Sequence, residues 1–175
     1  MRIVIATDAW RPQINGVVRT LEMTVKLLRA RGHDVCVMSP DLFRTVPCPG
    51  YGEIRLAVAP RFGLRKKLTD LAPDIVHIST EGPIGWSTRR WCMVNGVPFT
   101  TAFHTRFPDY AAVRTGLSPD FFWPVMRIFH KSSRAVLSAT PRLSAELESR
   151  GIPHTRPWTR GIDTAIFKPD RTPHP

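Results

Sequence analysis

The chain has 175 residues, 42% apolar and 22% charged, a composition that excludes a disordered chain and suffices for one hydrophobic core of ordinary size. Lys plus Arg number 25 against 14 Asp plus Glu, a net charge of +11. This excess favours an anionic partner without naming it. The three cysteines, Cys36, Cys48 and Cys92, lack C-x-x-C spacing. They therefore argue against a disulfide framework or a zinc site and for a reducing, cytoplasmic compartment. No apolar run approaches the ~20 residues of a membrane helix, and no secretion-signal core precedes the first strand.

In chain order, Arg2 to Thr7 reads as an apolar strand. A loop with a single glycine, Gly16, follows it. Val17, Val18, Leu21, Val25, Leu27 and Leu28 then mark a helix that Gly32 stops, and a second buried strand begins at Val35. A parallel pair joined by a helix places the first loop at the carboxyl edge of a sheet, where open α/β sheets bind ligands. The loop has neither G-x-G-x-x-G nor a G-x-x-x-x-G-K-[ST] phosphate motif. Gly16 either simply turns the chain or lets an anion approach free N–H groups; geometry alone leaves both readings open.

Beyond this unit, a proline-bearing loop spans 41–51 and a short strand lies near 53–58. A helix covers 61–71, with Leu64, Leu68 and Leu71 on one face. Asp74 to Ile78 is a buried strand, Trp86 to Val94 a helix, and Pro98 to Phe103 a strand followed by a loop. A helix within 120–130, kinked at Pro124, leads to a strand at 135–138. Thr140 and Pro141 open a last helix, ended by Gly151, before an extended segment at 154–158. The alternation predicts an α/β fold, a doubly wound parallel sheet with its first strand near the centre. The three prolines of KPDRTPHP, 168–175, read as a linker or tail beyond a domain of residues 1–167.

Three segments join the first loop at the carboxyl edge: ISTEGPIGW, FHTRFPDY and WTRGID. His104 ends an apolar strand among polar neighbours, a place for hydrogen bonding to a sugar or phosphate, or for proton transfer. His77, inside its strand, reads as a satisfied core residue. Glu81 either accepts from ligand hydroxyls or favours the start of the next helix. Arg65, Lys66 and Lys67 make a basic helical surface, suited to an anionic membrane or simply solvated. No hydrolase triad, G-x-S-x-G or H-E-x-x-H motif is present, no metal site is expected, and charge without an RNP, KH or zinc-finger signature does not argue for nucleic acid.

RIVIATDAWRPQINGVVRTL, RGHDV, PDIVHISTEGPIG, TAFHTRFPDY and RGIDTAIFKP, in that order, resemble the N-terminal half of a retaining GT-B glycosyltransferase of family 4. That family includes sulfoquinovosyl-diacylglycerol synthase and bacterial lipid mannosyltransferases. The resemblance implies a Rossmann-like, acceptor-side domain facing a second domain that holds the nucleotide sugar. It implies that Asn15 and Gly16 approach the donor diphosphate and that His104 sits by the transferred sugar as the catalytic residue. Glu81, Arg106 and Tyr110 would line the acceptor side. A GDP- or UDP-sugar would be the donor, a lipid or glycan the acceptor, and transfer on one face of the sugar the mechanism, with no cofactor in this chain. Arg65, Lys66 and Lys67 would contact the inner face of the cytoplasmic membrane. The chain reaches the family's crossover segment, and no glutamate pair of the family's donor-holding spacing occurs among Glu22, Glu53, Glu81, Glu146 and Glu148. The donor-binding domain is therefore expected to be missing. The alternatives are a non-catalytic module for an anionic lipid or glycan, and one half of a split transferase.

Overall fold

The computed structural model describes residues 1–48, 51–159 and 161. Its strands are β1 (Arg2–Ala6), β2 (Asp34–Met38), β3 (Thr45–Cys48), β4 (Tyr51–Ala57), β5 (Ile75–Ile78), β6 (Phe99–Phe103), β7 (Val136–Ser138) and β8 (Thr155–Pro157). Its helices are α1 (Gly16–Ala30), α2 (Arg61–Leu71), α3 (Pro83–Asn95), α4 (Phe107–Thr115), α5 (Trp123–His130) and α6 (Pro141–Ser149). Six strands form one sheet in the order β2-β1-β5-β6-β7-β8, every neighbouring pair parallel. This is the doubly wound, Rossmann-like arrangement expected from the sequence.

The crossover rule explains the layers. The step from β1 to β2 runs one way along the sheet and the steps from β5 to β8 run the other, so right-handed connections put their helices on opposite faces. Ile3 and Ile5 pack on Leu21 and Val25 of α1. Their alternates Val4 and Ala6, with Val76 and Ile78, pack on Leu64 and Leu68 of α2 and on Ile84, Trp91 and Cys92 of α3. Phe103 and Val136 meet Trp123 and Met126 of α5 and Leu147 of α6. Strand order reverses between β1 and β5, and the loops leaving these two strands share one edge. That is the switch point at which such sheets open a crevice.

Several elements depart from the sequence reading. Leu27 is 51% exposed, because it lies two positions past Val25 and so on the opposite side of α1 from the buried row. β1 stands second from one edge instead of near the centre. The expected strand near 53–58 is β4, and it pairs antiparallel with β3 in a separate hairpin, Val46 opposite Leu56. Pro47 had marked β3 as loop, but a two-stranded ribbon tolerates a residue that cannot donate. Pro124 falls in the first turn of α5, where no N–H is needed, so it starts the helix and does not kink it. The loop expected after β6 contains α4, whose sole buried residue is Pro108; with no apolar stripe, periodicity had nothing to report. Cys36 is half-buried and Cys92 fully buried, and none of the three cysteines is in a disulfide. Burial pushes the Cys92 thiol up to about 12. The crossover segment, apart from Gly161, and the tail at 168–175 lie outside the described residues.

Candidate functional site

The floor of the edge is built by a carboxylate that no motif had marked. Asp8, just past β1, is almost wholly buried. Its Oδ1 accepts from the Ile84 N–H at 2.9 Å. Its Oδ2 accepts from the Gly85 N–H at 3.3 Å and from Thr80 Oγ1 at 2.9 Å, while the Asp8 N–H donates back to Thr80 Oγ1 at 2.7 Å. Gly82, the residue at the N-cap of α3, has no side chain to cap with. Asp8 supplies from another strand the acceptor that a capping Ser or Asp supplies locally. Burial raises its pKa above the ordinary 3.8, the Ile84, Thr80 and Gly85 hydrogen bonds oppose that, and Glu81 adds to it.

This contact explains the glycines of TEGPIG. A methyl at Gly82 would overlap the Asp8 carboxylate, and one at Gly85 would overlap the Thr80 carbonyl oxygen. Both positions require glycine for close approach and not for an unusual backbone angle.

Glu81, just before Gly82, turns beneath the loop. Its Oε1 lies 3.4 Å from Nε2 of His130, with side chains 10% and 0% exposed, an ion-pair distance without an aligned hydrogen bond. His130 Nδ1 meets Thr101 Oγ1 at 2.9 Å. The carboxylate is thus directed toward the end of α5.

On the far side of β5 the rim is aromatic. His104 leaves β6 partly exposed, its ring 5.4 Å from that of Trp158. Trp158 also meets His77 edge-on at 5.4 Å and packs with Ile75 against the α1-side core. His77 corrects its sequence reading. Its Nδ1 is bonded to Thr100 Oγ1 at 2.8 Å, but Nε2 is buried with no partner. It is a half-satisfied histidine beneath the rim. Burial, then His104, push its pKa down to about 3, so the ring is neutral at physiological pH.

At the other end of the crevice, Asn15 caps α1, its side chain accepting from the Val17 and Val18 N–H groups at 3.0 Å each. Gly16 is the first helical residue and stands where the positive end of the helix dipole meets solvent. Strand order β1-β5-β6 brings this helix start and His104 to the same edge, on the α1 side of the sheet. Arg106, two positions past His104 at the N-cap of α4, is heavily engaged. It donates from Nη1 and Nη2 to Glu146 of α6 at 3.0 and 2.6 Å and from Nε to Asp109 at 2.5 Å. Asp109 and then Glu146 raise its pKa. Tyr110, on α4, is 52% exposed. Arg65, Lys66 and Lys67 are exposed on α2, away from these groups, and Lys66 is tied to Asp70 at 2.6 Å, which raises its pKa. Among the described residues no three His, Cys, Asp or Glu side chains are grouped to hold a metal ion, and no helix is long and apolar enough to cross a membrane.

Residues 14–166, which include the helix start, the Asp8-capped loop and the histidine rim, match Glycosyltransferase Family 4. The chain belongs to that family. As a family 4 sequence it is 25% identical over 97% of its length to a GDP-mannose-dependent alpha-mannosyltransferase of Mycobacterium tuberculosis, of which it covers 50%. It is 23% identical over 89% of its length to the sulfoquinovosyl transferase SQD2 of Arabidopsis thaliana, covering 34% of it. It is 31% identical over 63% of its length to an alpha-monoglucosyldiacylglycerol synthase of Acholeplasma laidlawii, covering 31% of it. The chain thus spans about half the length of the mycobacterial relative and a third of the other two.

Sequence reasoning missed Asp8 and Trp158 in this family 4 edge. One signal for Asp8 was legible: Gly82-Pro83 opens a helix with no capping side chain of its own, so an acceptor must come from elsewhere in the fold. Trp158 stands at the head of WTRGID, a segment assigned to the edge, but nothing local tells that its ring reaches two histidines.

Proposed function

We propose that the chain is the acceptor-side half of a retaining glycosyltransferase that moves a hexosyl group from a nucleotide sugar to a lipid or glycan. Transfer would take place at the carboxyl edge once a second, donor-binding domain faces it. The observation that carries this reading is the convergence of the α1 start and His104 on one edge of a family 4 domain. In the proposed roles, the Gly16 end of α1, with Asn15 fixing the turn, faces the donor diphosphate, since helix starts favour anions. His104 donates to the transferred sugar, and Trp158 fixes the plane of its imidazole. The acceptor oxygen attacks the anomeric carbon on the face from which the diphosphate leaves; the bond to the diphosphate oxygen breaks, and that oxygen takes up the acceptor's proton.

Tyr110, exposed beside this edge, is the acceptor-side residue best placed to meet a ligand. Glu81 and Arg106 would act mainly by holding their loops, given their engagement with His130 and with Asp109 and Glu146. A GDP-sugar is the donor favoured by the mycobacterial relatives' names, with a UDP-sugar as the alternative. Arg65, Lys66 and Lys67 would rest on the inner face of the cytoplasmic membrane.

The test uses the purified chain with labelled GDP- and UDP-sugars and lipid acceptors, with and without a family 4 donor-binding domain. Turnover is expected only with the second domain, because transfer depends on holding two reactants in line. His104→Ala should then lower kcat by about a hundredfold while leaving the thermal midpoint nearly unchanged. Turnover by the isolated chain, or an His104→Ala enzyme of undiminished kcat, would overturn the assignment.

A further inference from the structure

Away from the rim, α2 and α3 lie side by side and enclose an open groove of about 490 Å³. It is lined by Arg61, Arg89 and Arg90 and by Trp86, Met93 and Val94. Arg65 lines a smaller depression of about 220 Å³ that shares Arg61, Arg90 and Val94 with it. Among the described residues no carboxylate lines either cavity. Arg89 is built into the wall: it donates from Nε to the Phe129 carbonyl at 2.9 Å and from Nη2 to the Ile128 carbonyl at 2.7 Å, and its guanidinium sits 5.6 Å from the Trp86 ring. Arg61, Arg65 and Arg90 are exposed, and among the described residues none of them has a carboxylate partner. Beside them, Phe62 and Val94 are each 74% exposed and Met93 51%.

Guanidinium groups without carboxylate partners, next to exposed apolar side chains, match a ligand with an anionic head and an apolar body. Guanidinium binds phosphate through paired N–H donors, which an ammonium does not offer in fixed geometry. A free phosphate would use the arginines and leave Phe62, Met93 and Val94 in water, whereas a lipid would cover both. We propose that the α2–α3 groove binds the phosphate headgroup of an acidic phospholipid within a bilayer, with Arg61 and Arg90 on the phosphate and Trp86, Met93 and Val94 against the first acyl methylenes. This deepens the membrane-surface reading of α2 and rests on it, but it assigns the contact to a defined cleft in place of the diffuse charge of Arg65, Lys66 and Lys67.

The experiment is binding of the 175-residue chain to phosphatidylcholine vesicles with and without about 30 mol % phosphatidylglycerol, a fraction that gives a negative surface potential. Short-chain phosphatidylglycerol below its micelle concentration and inorganic phosphate serve as competitors. Arg61→Gln with Arg90→Gln should weaken binding to the acidic vesicles about tenfold, whereas the equal charge loss of Lys66→Gln with Lys67→Gln should cost about threefold, as diffuse attraction does. Arg61→Lys with Arg90→Lys, which keeps the charge and loses the fork, should fall between. Brominated acyl chains should quench the fluorescence, and less so in Trp86→Phe. Equal losses in the Gln pairs would overturn the groove and leave the membrane surface standing. Indifference of the unmodified chain to acidic lipid would overturn both. Displacement by inorganic phosphate as effective as by the short-chain lipid would overturn the assignment to lipid. Unchanged thermal midpoints in all variants separate these outcomes from misfolding.

Discussion

The two halves of the rim are held by opposite means. Around β1 and β5 the loop is fixed from within: Asp8 caps α3 from another strand, two glycines admit its carboxylate and the Thr80 carbonyl, and Glu81 faces His130 in the interior. Around β6 and α4 it is fixed from outside, by Arg106 bridging Asp109 and Glu146 with half its side chain in water. Buried polar contacts are costly to break because the abandoned partner stays desolvated, whereas exposed ion pairs are worth little and yield to salt. One half of the site is therefore a rigid wall and the other an adjustable one.

The largest effect should come from the tightest contact. Gly85→Ala sets a methyl on the Thr80 carbonyl and should destabilise the chain by about 3 kcal/mol, read as a fall in the urea midpoint. A neutral result would mean that the loop is not the rigid half. Asp8→Ala strands the Ile84 and Gly85 N–H groups and should cost about 2–3 kcal/mol. Because the Asp8 pKa is raised in the folded state, the folded chain binds the extra proton. Wild-type stability therefore receives a contribution from Asp8 that is full below pH 3.8 and is lost as pH rises through the folded pKa. Asp8→Asn should abolish that dependence in denaturation curves run across the acidic range.

His77 has the reverse sign. Its pKa of about 3 in the folded chain lies below the ordinary 6.5, so the unfolded chain binds the proton. The stability contributed above pH 6.5 falls as pH drops toward 3, by at most about 1.4 kcal/mol per pH unit. His77→Gln should flatten this slope, and an unaltered slope would show that the ring is not desolvated beneath Trp158. The smallest effect belongs to the outer wall. Arg106→Gln should cost less than about 1 kcal/mol, and less again in high salt. A loss as large as that of Asp8→Ala would erase the contrast between the halves.

The parts of the fold legible in the sequence were those whose burial imposes a period. The stripe Val18, Leu21 and Val25, the strand around Val76 and Ile78, and the Thr140-Pro141 start with its Gly151 stop all follow from local chemistry. α4 buries one residue and β3 carries a proline, so neither left a pattern. The place of His104 and Asn15-Gly16 at the carboxyl edge of the sheet was legible because they follow strands. The direction of Glu81 was not, since it depends on where His130 arrives from α5. Asp8 and Trp158 act on residues distant in sequence, and no local window contains their partners.

The sheet order also bears on how the chain is made. Within this domain β1 is made before the other described strands, and β2 pairs with one of its edges soon after. Its other edge waits for β5, whose Ile75 and Val76 register with Ile3 and Val4, and among the described residues nothing made in between joins this sheet. Throughout the synthesis of the β3–β4 hairpin and α2, the nascent chain presents an open edge of Ile-Val-Ile-Ala backbone, the kind of strand edge that recruits other chains. Translation that stalls before β5 should therefore yield aggregates, and a release just beyond it soluble intermediates.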